Sequence, residues 1–527
     1  MYDTIVIGSG HNGLITAAYL AKAGKKVCVL ERREILGGCS STEELYPGFL
    51  FSPASYVISL LLPEVIADLR LKEYGYEVLK RDPSSISLDG HGRHLVLGHD
   101  AKRNYESIAG FSKNDAEAFP AYEEMLTSIA ENLEPLLKTV PPQLPSPYRK
   151  MGAIKKITNL ASGMKTGTVF KKLLYENPGA MELLTGAADR ILNRWFESDL
   201  LKGTLATDAI IGAFHSPSSP GSAYVLLHHV MGDAGGSRGV WGYIRGGMGG
   251  LAAALQQACV DLKVDIKTGV EVKEILVDRN SACGVSTSEG DYHSKSVASG
   301  IDANNTLVKM LDPKHLPGAM LQQVKNIDYS SASGKINLAL DGLPDFGVDP
   351  QLLRGTIHIT PDMQYIEKAY QEAANGDYSS KPVLEMVIPS NVDDSIAPTG
   401  KHIMSIFVQY APYTLSNGRN WDDIKDAWVE TCINTLQEFA PDIREKILFT
   451  HAMTPLDLER TYGLTGGNIM QGAMHVHQLG PSRPLLGWSD HRTPVKNLFI
   501  CGAASHPGGG VMGACGRNAA SVILQDL

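Results

Sequence analysis

Short apolar runs and glycine-rich turns alternate over the first forty residues of the chain. The β-branched run from Tyr2 to Gly8 predicts a buried parallel strand. A helical pattern follows from Leu14 to Gly24, where the glycine marks the end of the helix. The segment from Lys26 to Glu31 then repeats the strand pattern. This order of strand, helix and strand predicts a Rossmann βαβ unit.

The turn between the first strand and the helix carries glycines at GxGxxG spacing. Gly8 permits the tight turn, Gly10 lets the backbone approach a pyrophosphate, and Gly13 lets helix and strand pack closely. The start of the helix offers free N–H groups and a partial positive charge to phosphate. Glu31 ends the second strand, where a carboxylate can accept hydrogen bonds from a ribose. We therefore expect a bound dinucleotide.

A second glycine pair indicates which dinucleotide binds. Gly37 and Gly38 follow Glu31 after a short spacer, which is the pattern of FAD-binding Rossmann proteins. Arg33 lies within this spacer and can reach a ribose or a phosphate. A solvated surface arginine is the alternative interpretation of Arg33. The predicted cofactor is FAD.

A second strand, turn and helix pattern lies in the last thirty-odd residues. Asn497 to Gly502 predicts a buried strand, residues 503–510 form a glycine-rich loop, and a helix is predicted from Val511 to Leu524. A helix N-terminus aimed at the flavin would stabilise the negative charge of its reduced form. A purely structural turn is the alternative. His506 in the loop could face the flavin or the substrate, or bind a backbone carbonyl.

The middle of the chain predicts no second dinucleotide site. Gly246 to Gly250 does not match GxGxxG, and the strand pattern from Val264 to Lys267 ends in no acid. The predicted fold class is α/β, with a discontinuous Rossmann-type FAD-binding domain and a mixed α+β substrate domain. The predicted FAD-binding segments are 1–104, 241–305 and 456–527, and the substrate segments are the largely helical 105–240 and the sheet-containing 306–455.

Composition and charge narrow the class of protein. The chain has 527 residues, 43% of them hydrophobic, and a formal net charge of −9, which disfavours a nucleic-acid binder. No stretch approaches the roughly 20 apolar residues of a membrane span, and no basic segment precedes the first strand, so we expect a cytoplasmic protein. The seven cysteines contain no CxxC pair, which predicts neither a disulfide framework nor a metal site.

Taken together, these motifs resemble the phytoene desaturase-like flavoproteins, also called the carotenoid/retinoid oxidoreductase family. The branch of pyridine nucleotide-disulfide oxidoreductase domain-containing protein 2 is especially similar. The likeness covers most of the chain and rests on GSGHNGLITAAYL, ERREILGGCSSTEE, PGFLFSPASYVISL, WGYIRGGMGG, GGNIMQGAMHVHQ and HPGGGVMGACGRNAA. It does not extend to disulfide chemistry, because Cys39 stands alone after the glycine pair.

The resemblance implies a set of FAD contacts. Val272 would contact the adenine through its backbone, Ser52 would lie near the isoalloxazine, and the loop near Gly510 would lie close to the flavin. Cys39 stands where the related amine oxidases carry arginine, so a phosphate contact made there is in doubt here. The full set is Gly8, Gly10, Gly13, Glu31, Arg33, Gly37, Gly38, Ser52, Val272, Gly502, Gly509, Gly510, Val511 and Met512.

Residues 135–175 form a basic stretch in an otherwise acidic protein. No acid occurs between Pro135 and Tyr175, and apolar residues are interleaved with the bases. Such a stretch could lie on anionic lipid and admit a hydrophobic substrate, or it could be a solvated helical face. The basic residues are Lys138, Arg149, Lys150, Lys155, Lys156, Lys165, Lys171 and Lys172, and the apolar ones include Met151, Ile154, Ile157, Leu160, Met164, Val169, Phe170 and Leu173.

We expect an FAD-dependent dehydrogenase, desaturase or oxidase that takes a hydride from a hydrophobic, for example isoprenoid, substrate to flavin N5. A flavin amine or amino-acid oxidase is one alternative, and a non-enzymatic binding protein on the related GDP-dissociation-inhibitor fold is another. Flavin dehydrogenation requires mainly geometry, so the catalytic candidates are weak. They are Arg245 and His506, with His215, His228, His229, His475 and His477 as further candidates for a base.

Overall fold

The computed structural model describes residues 1–147, 149, 151–232, 234 and 239–527. The strands are β1 Tyr2–Ile7, β2 Val27–Leu30, β3 Glu43–Tyr46, β4 Phe49–Phe51, β5 Val78–Lys80, β6 Ser85–Leu88, β7 His94–Leu97, β8 Gly242–Ile244, β9 Asp265–Lys267, β10 Val272–Asp278, β11 Ser281–Thr287, β12 Gly290–Ser299, β13 Ser333–Leu340, β14 Thr356–Ile359, β15 Val383–Val387, β16 His402–Gln409, β17 Ile447–Met453 and β18 Leu498–Ile500. The helices are α1 His11–Lys22, α2 Pro63–Asp68, α3 Ala101–Ala109, α4 Lys113–Leu137, α5 Ala153–Glu176, α6 Ala180–Thr185, α7 Ala188–Trp195, α8 Asp199–Thr207, α9 Ser222–Val230, α10 Gly249–Asp261, α11 Gly318–Lys325, α12 Met363–Ala374, α13 Trp421–Gln437, α14 Ile443–Lys446, α15 Pro455–Tyr462 and α16 Ala514–Asp526.

The first sheet contains the predicted Rossmann unit. Its order is β10-β11-β12-β1-β2-β9, and β18 pairs with β12. The strands β18, β12, β1, β2 and β9 run parallel to one another, as βαβ connections require, whereas β10, β11 and β12 pair antiparallel. The apolar runs of β1 and β2 are buried because α1, α10 and α16 pack near them. The strands predicted at both ends of the chain thus meet in one sheet.

The second sheet has the order β17-β13-β16-β15-β14-β6-β7. Its neighbours are antiparallel except β14 and β6, which are parallel. Alternate residues of β13, such as Ile336 and Leu338, face an apolar cluster that includes Trp428 of α13. The other face of this sheet, which carries Lys335, borders a cavity. The mixed α/β architecture confirms the predicted fold class.

Helices α3 to α9 form the helical region that the sequence predicts for residues 105–240. Their apolar faces join the core cluster that also contains α1 and α16. Three bases of the stretch 135–175 are paired with acids in the structure: Lys138 lies 3.0 Å from Glu64, Arg149 lies 2.7 Å from Asp490, and Lys172 lies 3.8 Å from Glu176. Lys150 and the side chain of Ile154 lie outside the described residues.

Two predicted boundaries need correction. Strands β6 and β7 fall inside the predicted FAD-binding segment 1–104, but β6 pairs with β14 and so belongs to the second sheet. The helix predicted from Val511 begins only at Ala514, because Val511 and Gly513 have φ values of 56° and 74°, which an α-helix does not accept. The remaining domain boundaries stay predictions.

Candidate active site

A cavity of about 700 Å³ extends from the β1–α1 turn to the second sheet. Its first end is lined by Gly8, Gly10 and Glu31 of the Rossmann unit. Its other end is lined by side chains from β13 to β16, among them Lys335 and Glu385. The predicted cofactor residues and the second sheet therefore border one continuous space.

Two glycine turns pack against each other at the first end of the cavity. A Cβ atom on Gly13 would lie 2.2 Å from the carbonyl oxygen of Gly8, so only glycine fits between α1 and β1. The N–H of Gly37 donates to the carbonyl of Ser9 at 3.1 Å. A Cβ atom on Gly38 would lie 3.3 Å from the Cα atom of Gly10. Gly10 itself has nothing within 4 Å of its Cβ position, which leaves room beside the turn.

Glu31 is held in place by backbone and hydroxyl donors. The N–H and the hydroxyl of Ser9 both donate to Oε2 of Glu31 at 2.8 Å, and the N–H of Arg33 donates to Oε1 at 2.9 Å. Oε2 already accepts two hydrogen bonds, whereas Oε1 accepts one and retains a lone pair for a ribose hydroxyl. Arg33 pairs with Glu43 at 2.8 Å, and its Nη1 atom is buried without a partner among the described residues. Both side chains line the cavity, and so does Val272, the predicted adenine contact.

The glycine-rich loop before α16 lies partly at the cavity. Gly509, Gly510 and Val511 line it, whereas Gly502, Met512 and Ser52 are not among the described lining residues. A Cβ atom on Gly502 would lie 2.3 Å from the carbonyl oxygen of Gly300, which explains this glycine by packing alone. The carbonyl of Met512 accepts from the N–H of Leu62, and Oγ of Ser52 accepts from the N–H of Met248. The FAD contacts of Gly502, Met512 and Ser52 stay predictions.

Four strands of the second sheet each place one residue in a row along the cavity wall. Lys335 on β13 lies opposite Phe407 on β16, and Phe407 lies opposite Glu385 on β15. Glu385 is in turn opposite His358 on β14. Residues directly opposite each other point to the same face of a sheet, so the four side chains, which we call the cross-strand row, line the cavity together.

Tyr56 connects two members of the cross-strand row. Its hydroxyl donates to Oε1 of Glu385 at 2.6 Å, and the Nζ atom of Lys335 lies 3.6 Å from the centre of its ring. Within the described ranges Nζ has no hydrogen-bond partner, and burial holds the pKa of Lys335 well below its usual value. The row therefore contains an amine that is readily neutral and able to take up a proton.

The predicted catalytic candidates lie elsewhere. Arg245 pairs with Glu77 at 2.6 Å, its side chain is 44% exposed, and it is not among the described lining residues. Nε2 of His506 bonds to the carbonyl of Leu136 at 2.9 Å, and burial lowers the pKa of His506 to about 4. Of the other candidate histidines, His229 lines the cavity. Arg245 thus forms a surface ion pair and His506 binds a backbone carbonyl, and their catalytic roles stay predictions.

The cross-strand row is not among the site residues that the sequence predicts. Lys335 and Glu385 each stand in mainly apolar strand patterns, KINLAL and VLEMV, in which Asn337 is the one other polar residue. A charge at an inward position of a buried strand is costly and so indicates a functional site. The sequence therefore contains a signal at these two positions, but it does not show which strands pair with each other. Among the described residues, no group of three or more metal-ligating side chains could hold a metal ion.

Comparison with known proteins identifies the family. The sequence profile of the flavin containing amine oxidoreductases matches residues 13–524. The chain belongs to this family. It is 40% identical over its whole length to pyridine nucleotide-disulfide oxidoreductase domain-containing protein 2 of Rattus norvegicus, covering 94% of that protein. It is 27% identical to a limonene dehydrogenase subunit of Castellaniella defragrans, covering 100% of the chain and 95% of the relative.

Solved structures of the family share the fold. A single-site variant of putrescine oxidase matches with a TM-score of 0.59 at 15% identity, and the match covers 99% of both chains. A desaturase of Staphylococcus aureus that forms 4,4'-diaponeurosporene is 23% identical over 96% of the chain. The family match shows an FAD-dependent oxidoreductase, which confirms the predicted cofactor and enzyme class. The resemblance to phytoene desaturases is distant.

The first end of the cavity fits FAD. The close-packed glycines leave backbone N–H groups and open space at the start of α1, where a pyrophosphate would be held. The unpartnered Nη1 of Arg33 and the fixed carboxylate of Glu31 are a donor and an acceptor for the adenosine half of the cofactor. These residues would hold FAD at this end of the cavity.

Proposed function

We propose that this flavoprotein oxidises a hydrophobic substrate, with isoprenoids as the first class to test. The supporting observation is that the cavity continues beyond the FAD end between apolar side chains. Among these are Leu97, Leu205, Ile211, Trp241 and Phe407. Two relatives have names that state such a substrate, namely a limonene dehydrogenase subunit and a carotenoid desaturase.

The residues of this chain would position the substrate and exclude water. Bound FAD supplies the redox chemistry, because its N5 atom accepts a hydride from a substrate C–H bond. The apolar wall would hold that bond in place, and the burial of Lys335, His358 and Phe407 would limit the access of bulk water. Nζ of Lys335 is available to take up a proton if the substrate releases one.

Anaerobic reduction of the flavin would test this proposal. The holoenzyme is mixed with isoprenoid hydrocarbons and alcohols, and in parallel with amines and amino acids, while the visible flavin bands are recorded. We expect bleaching with an isoprenoid. Bleaching by amines alone would instead establish the amine-oxidase alternative. In that case Glu385 and Asp208, which line the cavity, could be the anionic partners of the ammonium group of the substrate.

We also propose that α5 attaches the enzyme to an anionic membrane surface. Ile157, Leu160, Met164 and Tyr175 recur at helical spacing on one face and are 66 to 88% exposed. Lysines flank this stripe, namely Lys156 on one side and Lys165 and Lys172 on the other. Apolar residues bordered by lysines suit the interface of an anionic bilayer.

The attachment would be peripheral. No described helix is long and apolar enough to cross a bilayer. Of the described side chains of α5, that of Leu173 is buried and the others are partly or fully exposed. An apolar stripe that is this exposed indicates that another surface covers the helix. The cytoplasmic location stays a prediction.

A further inference from the structure

The end of the cavity at the second sheet contains a buried arginine without a carboxylate partner. Arg81 follows β5, is 6% exposed and lines the cavity. Its Nη1 donates to the hydroxyl of Thr356, whereas its Nε has no hydrogen-bond partner among the described residues. Within the part of the chain that the structure describes, Arg81 forms no ion pair. A permanent positive charge therefore faces the cavity with donors to spare.

Burying the unpaired guanidinium of Arg81 costs free energy when no ligand is bound. A buried charge is normally paired, because losing water without gaining a partner costs several kcal/mol or more. The guanidinium presents its donors in a planar fork that matches the two oxygens of a carboxylate. The guanidinium lines the cavity, so a ligand that enters the cavity could meet this fork.

Two acids near Arg81 limit the charge of such a ligand. Glu385 accepts the hydroxyl hydrogen bond of Tyr56, and Asp208 also lines the cavity. Burial raises the pKa of Asp208 to about 6, so this carboxyl group can take up a proton when an anion binds nearby. One guanidinium beside two acids suits a single negative charge and disfavours a phosphate dianion.

Neutral donors complete the polar end of the cavity. Ser85 on β6 lies opposite Thr356 on β14, and both line the cavity next to His358. Nδ1 of His358 is buried, with no partner in the described ranges. The apolar wall formed by Leu97 and Leu205 lines the same cavity. The cavity thus offers one site for a small anionic group and one for an apolar body.

We infer that Arg81 binds a carboxylate group of the substrate, so that the enzyme selects amphipathic acids over neutral hydrophobic compounds. This inference rests on the proposed function and names the substrate class within it. The apolar body would lie between the flavin and the apolar wall, and the carboxylate would lie against the free edge of the guanidinium.

Equilibrium binding to the oxidised holoenzyme tests the inference without turnover. Farnesoic acid, farnesol and methyl farnesoate are titrated, and the perturbation of the flavin spectrum is followed. We expect the acid to bind more tightly than the other two. Arg81→Leu should weaken binding of the acid about 10- to 100-fold and leave farnesol within a few-fold. Arg81→Lys should retain part of the preference, because it keeps the charge but loses the fork.

Two further variants keep the test decisive. Thr356→Val removes the hydroxyl that holds the guanidinium and should weaken acid binding by a smaller factor in the same direction. Arg93→Leu, in the nearby β6–β7 hairpin and 64% exposed at its side chain, should leave all three affinities unchanged. Equal affinities for acid and alcohol in the wild type would overturn the inference, as would loss of FAD from Arg81→Lys. Acid binding that depends on Arg81, without flavin reduction by any hydrophobic compound, would refute the proposed oxidation instead.

Discussion

Replacing Gly13 by alanine tests the cofactor cradle with a single methyl group. The new Cβ atom would lie 2.2 Å from the carbonyl oxygen of Gly8, so α1 and β1 must separate by about 1 Å to accept it. Overpacking of this kind costs about 1–3 kcal/mol. We therefore expect a less stable apoprotein and an affinity for FAD that is lower by about 5- to 150-fold.

Gly10→Ala is the matched control for this prediction. Its Cβ atom would meet nothing within 4 Å in the protein, so the apoprotein should keep its melting temperature. Its affinity for FAD should still fall, because the methyl group would occupy the space left for the pyrophosphate. Thermal unfolding of the apoproteins and titration with FAD by flavin fluorescence separate the two effects. A Gly13→Ala protein with normal stability and normal FAD content would refute the packing argument.

Two further predictions concern pH and membranes. The pKa of His506 is about 4 in the folded protein and about 6.5 in an unfolded chain, so stability is complete above the unfolded value and is lost as pH falls toward 4. Between these pH values, replacing His506 with glutamine should reduce the slope of the unfolding free energy against pH by about 1.4 kcal/mol per pH unit. The control His91→Gln, at an exposed histidine, should leave the slope unchanged. Equal slopes for the His506 variant and the wild type would contradict the burial argument. In co-sedimentation with phosphatidylserine vesicles, the double variant Leu160→Glu with Met164→Glu should not bind. The control Leu448→Glu, at another exposed apolar site, should bind like the wild type. If the wild type binds pure phosphatidylcholine as strongly as phosphatidylserine, the electrostatic contribution is refuted.

Local patterns were sufficient for the Rossmann unit and insufficient for the second sheet. The runs at Tyr2 and Val27 are each buried on both faces and flanked by glycine turns, so their strands could be predicted without knowing their neighbours. The row from Lys335 to His358 depends on strand register over separations of tens of residues. Nothing local to KINLAL or VLEMV states which strand lies beside it.

The start of α16 shows a different limit. The sequence from Val511 onward is rich in alanine and favours helix, but Val511 adopts a positive φ. That conformation is rare for a β-branched residue and results from tertiary packing around the loop. Arg81 was missed for a similar reason, since its burial follows from the pairing of β5 with β8 and from Thr356 of β14.

The packing of α1 against α16 has a consequence for how the holoenzyme is made. Gly516 lies so close to α1 that a Cβ atom there would be 2.4 Å from the carbonyl oxygen of Asn12, and the loop before α16 supplies Gly510 and Val511 to the cavity. The ribosome completes the βαβ unit several hundred residues before it reaches this loop. This part of the cavity therefore closes only after the loop before α16 has been synthesised, so cofactor loading would follow synthesis of the βαβ unit by several hundred residues.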